Sequence, residues 1–208
     1  MNQFAIILAL LSPFTYILFT FIDYKRNTQL YIEYPDLYKK LDVVLMNILL
    51  YIPLSTLFLL SFYPIEDQIY PLHIELFHFA INVVIYEIWF FTFHRLLHTK
   101  YLYSIHKTHH EIYNTLGIFS IYSHPFEAVF VNMGSVFCLH ILFNFSLFQL
   151  ALLICGGYYN TIIISHTGTI MDSHQYHHMK QSYNYGASLF MDRIFQTQYI
   201  KGMHKKLQ

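Results

Sequence analysis

Long apolar runs separated by polar, histidine-bearing stretches organise this chain of 208 residues. Residues 4–22 form an apolar run interrupted only by Ser12-Pro13 and closed by Asp23-Tyr24-Lys25-Arg26, and residues 43–62 form a second run of membrane-spanning length. The first has neither the positive n-region nor the small-residue cleavage site of a signal peptide, so it reads as a retained helix. Residues 74–93 are a third candidate span, less pure because Glu75, His78, Asn82 and Glu87 must face a bundle interior or an interface. Residues 126–143 and 147–164 add two apolar helices with only Asn144-Phe145-Ser146 between them, the pattern of a tight helical hairpin. No repeat, low-complexity tract or Gly/Ser/Pro linker divides the chain, which predicts one compact all-α unit.

Composition agrees with a membrane protein: 55% of residues are hydrophobic and only 12% charged. The charge count balances at 12 Lys+Arg against 12 Asp+Glu, so no basic face offers itself to nucleic acid. Cys138 and Cys155 lie inside apolar runs and support neither a disulfide framework nor a thiolate metal site. The distribution of cations then orients the spans. Lys25, Arg26, Lys39 and Lys40 follow the first span; Arg95, Lys100 and Lys107 follow the third; Lys180, Arg193, Lys201, Lys205 and Lys206 follow the last. By the positive-inside rule these segments are cytosolic, and residues 63–73 and the Asn144 turn are lumenal. The histidine-bearing stretches fall on the cytosolic side. Lys205-Lys206-Leu207-Gln208 has the spacing of a dilysine endoplasmic-reticulum retrieval signal, or is a solvated basic tail.

Histidine is the chemical anomaly, at 14 residues. Three clusters stand out: His94-Arg95-Leu96-Leu97-His98, His106-Lys107-Thr108-His109-His110 and His174-Gln175-Tyr176-His177-His178. Positions i, i+3 and i+4 share a helix face, so each cluster is expected to aim its imidazoles at one point. Eight clustered histidines exceed the ligand set of a single zinc site, and two metal ions are the economical reading. His124 in Ser123-His124-Pro125 and His166 in Ser165-His166-Thr167-Gly168 return to the same layer and are candidate ninth and tenth ligands, or interfacial hydrogen-bonding residues. Glu87 and Glu127 flank the layer as candidate acceptors of ligand N–H groups, or are ordinary interfacial carboxylates. His73, His78, His140 and His204 read as structural or solvated.

The order H-x-x-x-H, H-x-x-H-H, S-H-P-x-E, H-T-G, H-x-x-H-H, then Asn184-Tyr185-Gly186 and Asp192-Arg193-Ile194-Phe195-Gln196-Thr197, resembles the fatty acid hydroxylase superfamily of sterol desaturases, sterol C-4 methyl oxidases and cholesterol 25-hydroxylase. The resemblance covers about Tyr86 to Tyr199. It implies a four-helix transmembrane bundle plus the N-terminal helix, a cytosolic histidine-rich cap holding two non-haem iron ions, and electrons from cytochrome b5 and its reductase. The expected division is 1–85, an N-terminal transmembrane region; 86–199, the histidine-box domain; and 200–208, a cytosolic tail. Two departures are Gln175, where many members have Asp or Thr, and Gln196, where Gly is usual.

The chemistry points the same way. Oxidising an unactivated C–H bond of a lipid with O₂ needs a redox-active metal, which zinc is not. No side chain beyond the metal ligands is singled out as catalytic, and hydroxylation and desaturation are not separated by sequence. A histidine-rich metal transporter would place histidines along a transmembrane path. A zinc hydrolase would place a Glu beside its ligands as in H-E-x-x-H, which none of the clusters does. No G-x-G-x-x-G motif occurs, so a separate electron carrier is expected, with Lys100, Lys107, Lys180 and Arg193 offered to an acidic partner.

Overall fold

A computed structural model describes residues 3–62, 70–113, 116–138, 146–166 and 173–199. Nine helices run through the described residues: α1 Gln3–Arg26, α2 Thr28–Glu33, α3 Pro35–Phe62, α4 Leu72–Leu97, α5 Tyr103–His106, α6 Glu127–Phe137, α7 Leu147–Ile164, α8 Ser173–Lys180 and α9 Phe190–Ile194. Helices α3, α4 and α7 are long and apolar enough to cross a membrane, and α6 is a shorter apolar helix. No strand occurs among the described residues.

The apolar runs become helices because a segment surrounded by hydrocarbon must satisfy its backbone internally. Boundaries move from those expected. The second span begins at Pro35 in a tight 3-10 turn, where proline fits the first helical position. The third runs on to Leu97 and so carries His94 on its last turn. Residues 139–145, most of the expected hairpin turn, lie outside the described residues, as do Thr167-Gly168, most of 63–73 and the Lys205-Lys206 tail. Ser146 closes that turn as the N-cap of α7, its hydroxyl accepting the Gln149 N–H at 3.2 Å.

Helix α1 packs against α3 and α7, α6 against α3, α4 and α7, and α4 against α7. Tyr16, Ile48, Ile52, Leu150, Ile154 and Ile162 belong to the shared core. The outer face of α4 exposes Leu76, Phe77, Val83, Val84 and Ile88, an apolar belt that suits lipid rather than water. Three helices contain a π-helical stretch: Asn47–Tyr51 in α3, Glu127–Met133 in α6 and Tyr159–Ile164 in α7. Such stretches widen a helix locally and re-aim side chains. The last two lie at the histidine end.

Candidate metal centre

The histidines converge on two groups whose ligating nitrogens lie within 4.8 Å of one another. The first comprises His94, His98, His106, His110 and His177, and the second His109, His166, His174 and His178. Each H-x-x-H-H motif is therefore divided, contrary to the expectation that a cluster aims at one point. His106 and His110 join the first group and His109 the second; His174 and His178 join the second and His177 the first. Helical geometry explains the split. Relative to position i, position i+4 lies about 40° to one side and i+3 about 60° to the other, so an ion held by i and i+4 leaves i+3 facing away. The middle motif also leaves the α-helix after α5, and His109–Glu111 form a 3-10 turn.

Ring tautomers are fixed from outside. Nδ1–H donates to a backbone carbonyl in His94 (Tyr185, 2.6 Å), His177 (Tyr183, 2.7 Å), His109 (Tyr122, 3.2 Å), His166 (Thr161, 2.7 Å) and His178 (Ile112, 2.9 Å). A carbonyl only accepts, so the proton sits on Nδ1 and the Nε2 lone pair faces inward. His109 and His178 Nε2 then face each other at 3.1 Å as two acceptors, and His94 and His106 Nε2 stand 3.0 Å apart. Facing lone pairs repel, and a cation between them reverses the sign. Nitrogens bound at about 2.1 Å to one ion stand roughly 3.0–3.4 Å apart. The donor set thus fits metal, and neutral imidazole suits iron, copper, nickel or zinc.

Burial, helped by neighbouring imidazoles, holds the rings neutral. His98 is pushed down to about 4, His110 to about 2 and His166 to about 3. Burial alone brings His109 to about 4, against the Tyr122 carbonyl, which favours the charged form. His106, His174, His177 and His178 lie well below the usual imidazole range for the same reasons. Neutral imidazole is the ligating form, so the site is ready at neutral pH without losing protons.

Glu127, on α6, stands beside the layer: its Oε2 is 2.9 Å from His106 Nδ1, with both groups buried. The two atoms are close but not aligned as a hydrogen bond, and neither has another partner. The contact is therefore one of close packing of two buried polar groups rather than a hydrogen bond. Glu87 acts at one remove instead. Its carboxylate accepts the Ser188 N–H at 2.9 Å and hydroxyl at 2.7 Å, tethering the loop whose Tyr185 carbonyl orients His94. His124 is not brought to either group; it is exposed, and its Nδ1 accepts the Phe126 N–H at 3.1 Å.

The C-terminal motifs form a clasp for the first group. Asp192, fully buried, accepts from Tyr185 N–H (2.9 Å), Gly186 N–H (2.8 Å) and the Thr197 hydroxyl (2.6 Å). Asn184, in the left-handed region at φ 57°, donates to the Ser173 carbonyl at 2.9 Å and accepts from Tyr199 N–H at 2.7 Å. Together they fix the carbonyls that orient His94 and His177. A Cβ at Gly186 would lie 2.4 Å from the Ser188 carbonyl oxygen, which accounts for glycine there. The loop bearing the His109 partner is anchored from below: Asn47 donates to the Ile121 and Ser123 carbonyls at 2.8 and 2.9 Å. Asp23 accepts the Gly117 N–H at 3.0 Å and the Tyr31 hydroxyl at 2.5 Å.

A cavity of about 70 Å³ opens under both groups, touched by His94 of the first and by His109, His166 and His174 of the second. It continues between the helices past Phe90, Met133, Val136 and Ile154.

The comparisons with known proteins decide the ancestry: the sequence model described as fatty acid hydroxylase matches residues 79–197, which include every histidine of both groups. The chain belongs to the fatty acid hydroxylase family. Fatty acid hydroxylase domain-containing protein 2 of Homo sapiens is 33% identical over 147 residues, 64% of this chain and 42% of that protein. Methylsterol monooxygenase 1 of Rattus norvegicus is 33% identical over 128 residues, 55% of this chain and 44% of that protein. Fatty acid hydroxylase ahd1 of Mycosarcoma maydis is 31% identical over 118 residues, 53% and 30%. The matched part is under half the length of each. No solved structure matches the chain.

Within the fatty acid hydroxylase region, Asp192 and Asn184 carry positions that sequence reading noted only as motif letters. Asn47 and Asp23 lie before it and were not singled out. Asn47 carried a legible signal, a carboxamide inside an apolar run; Asp23 gave none, since it reads as the end of a span.

Proposed function

We propose that this chain is a membrane-embedded, oxygen-dependent oxidase of lipids with a non-haem di-iron centre, hydroxylating or desaturating an unactivated C–H bond of a sterol or fatty acyl chain. The observation that carries it is two adjoining all-imidazole groups, their lone pairs turned inward, above one cavity that descends between apolar helices. Iron bound there supplies the redox capacity to activate O₂ against a C–H bond, which zinc lacks.

The protein's own part is orientation and exclusion. Backbone carbonyls hold five of the rings, so their orientation is set before substrate enters. The apolar walls take up the lipid and keep water from the reacting carbon. Reduction of one O₂ to water with oxidation of one C–H bond consumes two electrons from outside the substrate. Lys100, Lys107, Lys180 and Arg193 are all exposed and offer positive charge to an acidic carrier of the cytochrome b5 type, supplied by its reductase. The reading includes the endoplasmic-reticulum membrane, with the histidine layer capping a four-helix bundle on the cytosolic side. The relatives named for methylsterol and fatty acid oxidation support the substrate class.

Metal analysis of the purified protein tests the centre, with two irons per chain expected and one zinc overturning it. Product analysis with substrate, O₂, NADH, cytochrome b5 and its reductase tests the reaction. Turnover is expected to require the carrier and to weaken with salt.

A further inference from the structure

The cavity below the histidines carries polar groups that the metal groups do not use. Its walls are mainly apolar, yet three helices bring Tyr86 from α4, Asn132 from α6 and Asn160 from α7 to it. Tyr86 precedes His94 by eight positions, Asn132 follows Glu127 by five, and Asn160 precedes His166 by six. At about 1.5 Å per residue, and slightly less in π-helical stretches, these side chains lie roughly 7–12 Å below the histidine layer. Tyr86 interacts with the Asn160 and Thr161 side chains. The Asn132 carboxamide makes no hydrogen bond to the described residues; only its backbone carbonyl is engaged, by the Ser135 hydroxyl at 2.6 Å.

Asn132 is half-buried and lines the cavity, and a few placed polar groups in an apolar pocket are what fix a ligand's orientation. The amide both donates and accepts, which matches a hydroxyl. A carboxylate is a poor match, because no Lys or Arg lines the cavity and Glu127 does.

We propose that Asn132, with Tyr86 and Asn160 beside it, forms a subsite for an uncharged hydroxyl of the substrate. The lipid taken is then an alcohol, held so that the carbon to be oxidised lies roughly 7–12 Å from its oxygen, under the histidines. This deepens the oxidase reading and rests on it.

Binding without turnover tests the subsite. The full, iron-loaded protein in detergent is titrated anaerobically with cholesterol and cholestane, and separately with 1-hexadecanol, hexadecane and palmitate, following ligand-induced thermal stabilisation. The expected result is alcohols about 10- to 100-fold tighter than the matched hydrocarbons, with palmitate weaker than hexadecanol. Asn132→Leu is expected to bring each alcohol within about threefold of its hydrocarbon, and Asn132→Thr, which retains a hydroxyl, to keep most of the preference. Equal binding of alcohol and hydrocarbon by the unaltered protein, palmitate binding tightest, or an undiminished preference in a folded Asn132→Leu protein would overturn the subsite. Each of these results leaves the oxidase reading standing if two irons remain bound; that reading fails separately, on metal content.

Discussion

The two histidine groups use the same ligand chemistry but are held by different parts of the chain. The five-histidine group sits between the end of α4, α5 and α8, and its outer partners are the clasp carbonyls of Tyr183 and Tyr185 and the carboxylate of Glu127. The four-histidine group is buried throughout and borders the cavity through three of its members. Among the described residues its outer partners include the carbonyls of Ile112, Tyr122 and Thr161. The outer partners of a ligating imidazole fix its orientation and tune its basicity, and the two groups draw theirs from different segments. The difference teaches that the pair is not two copies of one site, although the same motif serves both.

Ligand removal breaks the comparison most severely. His109→Ala and His110→Ala are adjacent in sequence but belong to opposite groups, so each is expected to empty chiefly its own position and leave about one metal per chain. Activity should fall by more than the roughly 10- to 100-fold that loss of an outer partner costs. Metal analysis with cobalt substitution, reading the d–d spectrum of the remaining ion, checks this; identical residual spectra would contradict the crossed assignment. His124→Ala should leave both metals in place.

Outer partners come next. Asp192→Asn weakens the clasp and Glu127→Gln removes the carboxyl facing His106. Each is expected to lower metal affinity of the five-histidine group by about 10- to 100-fold while the other group binds as before. Competitive titration against a chelator separates the two affinities. A parallel loss at both groups would make these residues general supports of the fold.

Acid should act on both groups without distinction. Burial lowers the folded-state values of His98 and His109 to about 4, while the unfolded chain titrates at about 6.5. The unfolded state therefore binds more protons between these values. The stability of the metal-free protein from these groups is complete above about 6.5 and is lost progressively as pH falls through about 4. Thermal melts of the chelated protein across that window check the sign.

The smallest effect concerns Gln196, which adopts φ 56°, in the left-handed region that favours glycine. A non-glycine residue there costs about 1–2 kcal/mol, partly offset by the greater unfolded-state freedom of glycine. Gln196→Gly is expected to stabilise the protein by about 0.5–1 kcal/mol without changing metal content, measured by thermal unfolding. The other departure, Gln175, is already accommodated: its amide donates to the Tyr113 carbonyl at 3.0 Å, pinning α8 to the loop after His110.

The sequence by itself determined the apolar helices and singled out ten histidines, nine of which the fold gathers into two groups, because hydropathy and spacing are local properties of a helix. Membership of the family was legible for the same reason, as several motifs in a fixed order. Which ion each imidazole serves was not legible. Position i+3 of a motif faces away from the ion held by i and i+4, and only the packing of α8 against α4 and the 103–111 segment says what it faces. His124 and His166 show the limit clearly. Each follows a serine at the end of an apolar stretch, yet the Thr161 carbonyl turns His166 into the second group, whereas His124 turns back to the N–H of Phe126 and stays exposed. Tertiary structure alone also assigned the clasp, because the partners of Asp192 are N–H groups and a hydroxyl brought round by a turn. Hydrogen bonds of that kind depend on where the chain returns in space, which no residue pattern encodes locally.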